Sequence, residues 1–371
     1  MKNSLKNKIQ ELLSHAGIQL NGNKPYDIRV NDDRFYSAAI ENGSLGLGES
    51  YMNGWWDAEQ LDQFFDKILR ANIDKAVKPW NYFITYLNSV IINRQTRKGS
   101  RRVAEQHYDL SAKLYESFLD PYNQYTCAYF KDTENLNEAQ EKKLDLICRK
   151  LQLTSEDKVL DIGCGWGGFA KYAAEHYQCH VTGISISKEQ IQYARKFTKG
   201  LPVDIEEMDY RDIKGIYNKV LICGMMEHVG YKNYKTLFSK VHHCLSDTGL
   251  FLLHSIGGDE SVTNTDPWID KYIFPNSMIP SVNQISKAFE GIFVMEDWQN
   301  LSAHYYKTLM AWYQNFIMNW DSIKADYDEK FFLMWKYYLL SCAGTFSARK
   351  NQLWQIVFSK NGVPDGYAAI R

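Results

Sequence analysis

Residues 159–168 read VLDIGCGWGG, and this stretch limits the fold more than any other part of the chain. An apolar run carries Asp161 near its end. Glycines follow at 163, 165, 167 and 168, and then comes the helical pattern FAKYAAEHY. A strand, a glycine turn and a helix in that order make one β-α unit. Glycines let the backbone turn sharply and approach a ligand closely. The helix start offers free N–H groups and a partial positive charge. A nucleotide-like ligand, or an amino-acid carboxylate, suits that place.

The flanking sequence keeps the same rhythm. Residues 158–162, 181–184, 203–208, 219–223 and 250–254 read as strands, and 169–177, 188–197 and 234–245 as helices. Such alternation predicts an α/β fold with a parallel sheet covered by helices. Aromatic-rich helices are expected over 309–320 and 331–346, and a last strand over 353–358.

The 371 residues suggest two domains or one large one. We expect a helical N-terminal domain over 1–95, a basic linker over 96–105 and a catalytic domain over 106–371. In the first, Leu5, Ile9, Leu12, Leu13 and Ala16 recur at helical spacing and Gly17 stops the helix. Leu61, Phe64, Phe65, Ile68 and Leu69 repeat that spacing. Between them, residues 44–56 (SLGLGESYMNGWW) read as a turn-rich segment with an aromatic anchor. Trp55 and Trp56 either fill a core or touch a membrane or partner. The basic run RQTRKGSRR at 94–102 is a solvated linker or a contact for anionic lipid.

A net charge of −1 gives no general attraction to polyanions, so nucleic acid is not an expected partner. The seven cysteines are scattered, with no CxxC and no zinc spacing. They read as reduced thiols of a cytoplasmic protein without a metal site. The start lacks the apolar run of a signal peptide, and no window reaches the ~18 apolar residues of a spanning helix. The 14% aromatic content fits a filled core or a cavity whose ring faces stabilise a cation.

Dinucleotide enzymes place an acid about 20 residues past the first glycine to hold a ribose. Gly183 stands there, followed by ISISKEQ, so Gln190 is the candidate for the ribose hydroxyls. Glu227 and His228 follow the fourth predicted strand, and His254 ends the fifth. Ligands of open parallel sheets lie beyond the carboxyl ends of the strands. These groups therefore share the crevice of the glycine turn.

In order, QYTCAY at 124–129, residues 159–168, MEHVG at 226–230, HSIG at 254–257, DPWIDKYIFP at 266–275 and YYKTL at 305–309 resemble the cyclopropane-fatty-acyl-phospholipid synthases. The segment 44–56 is similar to that of the bacterial, phospholipid-acting members. The resemblance covers nearly the whole chain. It implies a Rossmann-like class I S-adenosylmethionine-dependent methyltransferase domain beside the small helical domain. It implies methylene transfer from S-adenosylmethionine to the cis double bond of a phospholipid acyl chain. A carbocation then loses a proton from the new methyl, with bound bicarbonate as acceptor.

By matching positions, Cys127, Glu227, His254, Tyr305 and the backbone of Ile256 are expected to hold bicarbonate. Tyr125, Thr126, Asp161, Gly163, Gly165 and Gly167 are expected around the methionine part and the turn, Ser185 and Gln190 at the ribose, and Tyr210 and Arg211 at the adenine. Cys342 is a further catalytic candidate, although a small apolar packing role serves a helical cysteine as well. The resemblance also implies a homodimer through the N-terminal domain and a transient, peripheral visit to the inner face of the membrane. A small-amine N-methyltransferase and an inactive lipid-binding protein are the competing readings. The complete Cys127, Glu227, His254 and Tyr305 set speaks against both.

Overall fold

A computed structural model describes residues 2–73, 95–96 and 111–371. The chain forms two compact units. One comprises Met1–Ile92, Asn264–Pro275 and Tyr305–Asn351; the other comprises Asn93–Thr263, Asn276–His304 and Gln352–Arg371. Most of the basic run 94–102 and of the linker 96–105 lies outside the described residues.

The second unit is built on seven strands: β1 Lys158–Ile162, β2 His180–Ser185, β3 Val203–Glu207, β4 Tyr217–Cys223, β5 Leu245–Gly258, β6 Val294–Asn300 and β7 Asn351–Ser359. Their order is β3-β2-β1-β4-β5-β7-β6. The pairs from β3 to β5 are parallel, and β6 with β7 is antiparallel. Strand order reverses between β1 and β4, so the crevice for a ligand opens at their carboxyl ends.

Both faces of the sheet are covered, which is why β1, β4 and β5 read as near-continuous apolar runs. Leu160, Ile162, Val220, Ile222, Phe251 and Leu253 pack with Leu237, Phe238 and Val241 of helix Tyr234–Cys244. Val159, Leu221 and Leu252 point to the other face, against Leu144 and Ile147 of helix Leu136–Lys150 and Phe169 and Ala173 of helix Gly168–Tyr177. Each such side chain stabilises the fold by about 1.5–3 kcal/mol on burial. Two-residue periodicity leaves Asp161 on the same face as Val159, toward helix Leu136–Lys150.

The first unit is helical with an aromatic core. Trp56 lies 1% exposed, its ring 5.2 Å from those of Tyr51 and Phe64 and 5.8 Å from that of Phe35. Its indole N–H reaches the Leu47 carbonyl at 3.1 Å and Ser50 Oγ at 3.0 Å. Trp56 is thus a core residue and cannot be the membrane contact considered for it. The Arg34 guanidinium covers Trp55 at 4.4 Å.

Residues 44–52 are helical rather than turn-rich. Helix Arg34–Met52 runs through a kink at Gly43 (φ 56, ψ −129). The glycines that suggested turns permit close packing instead. A Cβ on Gly48 would stand 2.3 Å from the Trp268 indole, and one on Gly46 would stand 1.9 Å from the Ala38 carbonyl oxygen. Gly17 does end the first helix, Lys2–Ser14, with φ +69 and the Ile18 N–H bonded to the Leu13 carbonyl.

Candidate active site

The glycine turn leaves β1 and hooks onto β2. The Gly163 and Cys164 N–H groups both donate to the Ile184 carbonyl, at 2.9 and 3.0 Å. Gly163, Gly165 and Gly167 all have positive φ, at 84, 53 and 84°. Their surroundings differ. A Cβ at Gly163 would meet Met225 at 2.8 Å and one at Gly167 would meet Ala194 at 2.9 Å. At Gly165 it would meet nothing within 4 Å. Gly163 and Gly167 are glycines for packing as well as conformation, whereas Gly165 borders open space. Asp161, just before the turn, is buried, and burial pushes its carboxyl up to about 7 against the opposing charge of Lys143.

At the end of β2, Ser185 Oγ donates to Gln190 Oε1 at 3.2 Å. Ser187 caps helix Lys188–Phe197 through the Gln190 N–H. Gln190 is thereby held at the first turn of that helix, buried. Beyond β3, the Arg211 guanidinium lies 4.6 Å from the Tyr210 ring centre. It donates to Asp209 at 2.8 Å and to the Gln95 carbonyl at 3.0 Å. Asp209 and Gln95 thus engage the charged end of Arg211 while it covers the Tyr210 ring.

The carboxyl ends of β4 and β5 bring two expected residues together. Cys223 pairs in register with His254, and the Gly224 N–H donates to the His254 carbonyl at 2.9 Å. Glu227 follows in a short turn of 3-10 helix, and its Oε1 accepts the Ile256 N–H at 2.7 Å. The Ile256 backbone donor therefore serves Glu227. Glu227 Oε2 and His254 Nε2 are both buried and have no hydrogen-bond partner among the described residues. Burial pushes Glu227 up to about 7 and holds His254 well below its usual value, neutral.

Gln355, on β7, was not anticipated from sequence. Its Nε2 stands 3.2 Å from His254 Nδ1. With the Gln355 amide in this orientation its nitrogen is the donor, Nδ1 accepts, and the proton of the neutral ring is assigned to Nε2.

The loop after helix Ala112–Phe118 carries Tyr125, Thr126 and Cys127. Asp120 accepts the Tyr122 and Gln124 N–H groups at 2.9 and 2.8 Å. Gln140, from helix Leu136–Lys150, donates to the Thr126 carbonyl at 2.9 Å. The Lys143 amino group donates to Thr126 Oγ1 at 2.9 Å and to Gln124 Oε1. Cys127 is fully buried and donates to the Ala128 carbonyl. The Tyr125 ring meets Tyr115 at 5.2 Å, and Tyr115 meets Trp166 of the glycine turn at 5.5 Å. Lys143, Gln140 and Tyr115 were missed because a lone polar or aromatic residue on a helix carries no motif.

Tyr305 and Cys342 belong to the first unit. The Tyr305 ring packs on Phe346 at 4.4 Å. Burial and nearby Asp266 push the Cys342 thiol up to about 12, so it stays protonated. A protonated thiol is a poor nucleophile.

Residues 95–356 match the family model for mycolic acid cyclopropane synthetase. The chain is 49% identical over 363 residues to the cyclopropane-fatty-acyl-phospholipid synthase of Escherichia coli (strain K12), covering 97% of this chain and 94% of the relative. The crystal structure of mycolic acid cyclopropane synthase CmaA1 complexed with SAH and CTAB is similar, with TM-score 0.65 and 29% identity over 70% of this chain and 98% of that one. Coclaurine N-methyltransferase has TM-score 0.70 at 24% identity, over 85% of this chain and 99% of that one, a likeness of fold alone. With its 3-2-1-4-5-7-6 sheet, this chain has the class I methyltransferase fold; it belongs to the mycolic acid cyclopropane synthetase family and is an S-adenosylmethionine-dependent methyltransferase.

Proposed function

We propose that this enzyme transfers a methylene group from S-adenosylmethionine to the cis double bond of unsaturated acyl chains in membrane phospholipids, closing a cyclopropane ring. The observation that carries the reading is the pair of buried, unpartnered atoms at the ends of β4 and β5, the acceptor Glu227 Oε2 and the donor His254 Nε2. A small ion bearing both an O–H and anionic oxygens satisfies such a pair. Bicarbonate is that kind of ion, and the family resemblance adds Cys127 and Tyr305 to its ligands, while the Ile256 N–H expected among them instead holds Glu227 in place. The relative from Escherichia coli, by its name, acts on phospholipid-bound fatty acyl chains, and its similarity spans 97% of this chain.

The residues divide the work. The open side of Gly165, Asp161 and the Tyr125–Thr126 loop are the proposed surroundings of the methionine part. Ser185 and Gln190 take the ribose side, and Tyr210 with Arg211 the adenine side. An alkene is a weak nucleophile, so donor and double bond must be held in line and close. The alkene electrons form the bond to the methyl carbon, and sulfur keeps the departing pair. The aromatic faces of Tyr115, Tyr125 and Trp166 favour positive charge nearby. Bicarbonate, when bound, supplies the acceptor for the proton lost from the new methyl, and that C–H pair closes the ring. Glu227, as a carboxylate, accepts the O–H of the ion, and His254 Nε2 donates to it.

The proposal includes a cytoplasmic homodimer, arranged through residues 1–95, that visits the inner face of the bilayer peripherally. Among the described residues no helix is long and apolar enough to cross a membrane.

The test is incubation with methyl-labelled S-adenosylmethionine, vesicles of unsaturated phospholipid and a small amine. Label is expected in ring-containing acyl chains. Label in the amine, with none in the lipid, would overturn the reading.

A further inference from the structure

Lys143 is a fully buried lysine that the proposed chemistry does not use. It projects from helix Leu136–Lys150 on the face that also carries Gln140, one turn earlier. Burying an amino group is unfavourable unless its donors are used. A methionine at this position would fill similar volume without that cost.

Both donor bonds of Lys143 go to side chains of one loop, Gln124 and Thr126. We infer that Lys143 is a positioning residue for the methyl-donor site: its amino group fixes the Gln124 and Thr126 side chains, and with them the loop between Asp120 and Cys127, against the end of β4.

Thr126 is wedged on its other side. Cys223 Sγ donates to Thr126 Oγ1 at 3.7 Å, and a Cβ added to Gly224 would stand 2.8 Å from Thr126 Cγ2. The loop therefore has one seat, and Lys143 selects it. The backbone of the loop has separate support, since Gln140 bonds the Thr126 and Gln124 carbonyls and Asp120 bonds two N–H groups. Removing the Lys143 amino group leaves that scaffold and frees the side chains. The Lys143 charge also opposes the upward push of burial on the Asp161 carboxyl.

The inference rests on the proposed methyl-donor site, and the experiment separates the two. S-adenosylhomocysteine binding is measured by calorimetry on the full chain as wild type, K143M and K143Q. Thermal unfolding and steady-state kinetics accompany it. Wild type is expected to bind. K143M should bind at least tenfold more weakly, with KM for S-adenosylmethionine raised similarly, kcat lowered less than threefold and KM for lipid vesicles within twofold. Its Tm should fall by only a few degrees, because the apolar volume is kept while Gln124 Oε1 and Thr126 Oγ1 each lose one donor. K143Q, which keeps a donor for Thr126, should recover part of the affinity. Failure of wild type to bind would overturn the site itself. Binding by K143M at wild-type affinity, or a loss of affinity that only parallels a loss of Tm, would overturn the role of Lys143. If K143M does not fold, K143Q decides alone: affinity between those limits supports the role, and affinity equal to wild type overturns it.

Discussion

Glu227 shows how burial sets the working range of a single side chain. Its carboxyl sits near 7 because ionisation in a desolvated site is unfavourable, and hydrogen bonding from the Ile256 N–H, its own backbone and the Ser255 side chain only partly opposes this. If the carboxylate is the form that accepts the O–H of the bound ion, turnover should rise with pH through about 7 and level off above it. Stability runs the other way. Between about 4.5 and about 7 the folded chain holds a proton that the unfolded chain releases. The contribution of this group is present in full below the unfolded value and is lost as pH rises through the folded one. The slope is at most about 1.4 kcal/mol per pH unit for one group. Asp161, also near 7, has the same sign. Glu227→Gln, neutral throughout, should therefore flatten part of the loss of stability between about pH 4.5 and about 7. It should lower kcat by at least about a hundredfold, the usual worth of acid–base assistance. S-adenosylhomocysteine binding should stay within about threefold. Calorimetry and a pH–rate profile check all three, and surviving turnover would remove Glu227 from the chemistry.

At the scale of elements, the glycine turn separates conformation from packing. Gly165 needs positive φ but has open space where a Cβ would point. Gly165→Ala should thus cost about 1–2 kcal/mol of backbone strain and little else in stability. The added methyl enters the proposed ligand space, so S-adenosylhomocysteine affinity should fall at least tenfold. Gly163→Ala should destabilise more, because Met225 must also move. Thermal unfolding and calorimetry on the two variants check this, and unchanged binding by Gly165→Ala would mean that the turn cradles nothing. The same turn explains what was legible in the sequence. Buried parallel strands and their helices carry uninterrupted apolar signals, and β1, with residues 188–197, fell where the pattern put them. The strand Val294–Asn300 and the helix Leu136–Lys150 did not stand out. The first is an edge strand of mixed polarity. The second buries Gln140, Lys143 and Lys150, which blur its apolar face. Residues 44–52 misled for the opposite reason, since glycines there serve helix packing.

At the scale of the molecule, aromatic rings fill the cores of both units, and the core of the first is drawn from three separate stretches of chain. The Tyr337 ring stands 4.5 Å from Trp268 and 5.3 Å from both Tyr51 and Phe65. Tyr306 donates to Asp62 at 2.9 Å, and Gly344 lets helix Glu329–Ser347 approach Phe65 so closely that a Cβ would stand 2.4 Å away. Neighbours nearly 300 residues apart cannot be read from local periodicity, because nothing in either segment names the other. One consequence concerns truncation. A fragment of residues 96–371 keeps the whole seven-stranded sheet but strips Tyr337 of Tyr51 and Phe65, and Tyr306, on helix Ser302–Ile323, of Asp62. Two aromatic partners and one hydrogen bond are lost together, and the loss of each buried aromatic contact surface amounts to about 3–5 kcal/mol in large-to-small substitutions. Together that is comparable with the whole stability of a domain, about 5–15 kcal/mol. The fragment should therefore aggregate, or unfold without a cooperative transition. Wild type should be stabilised by about 2.7 kcal/mol when S-adenosylhomocysteine is present at a hundred times its Kd. Circular dichroism melts with and without ligand test both. A soluble fragment with a cooperative melt that shifts on ligand addition would show that the sheet folds without residues 1–95.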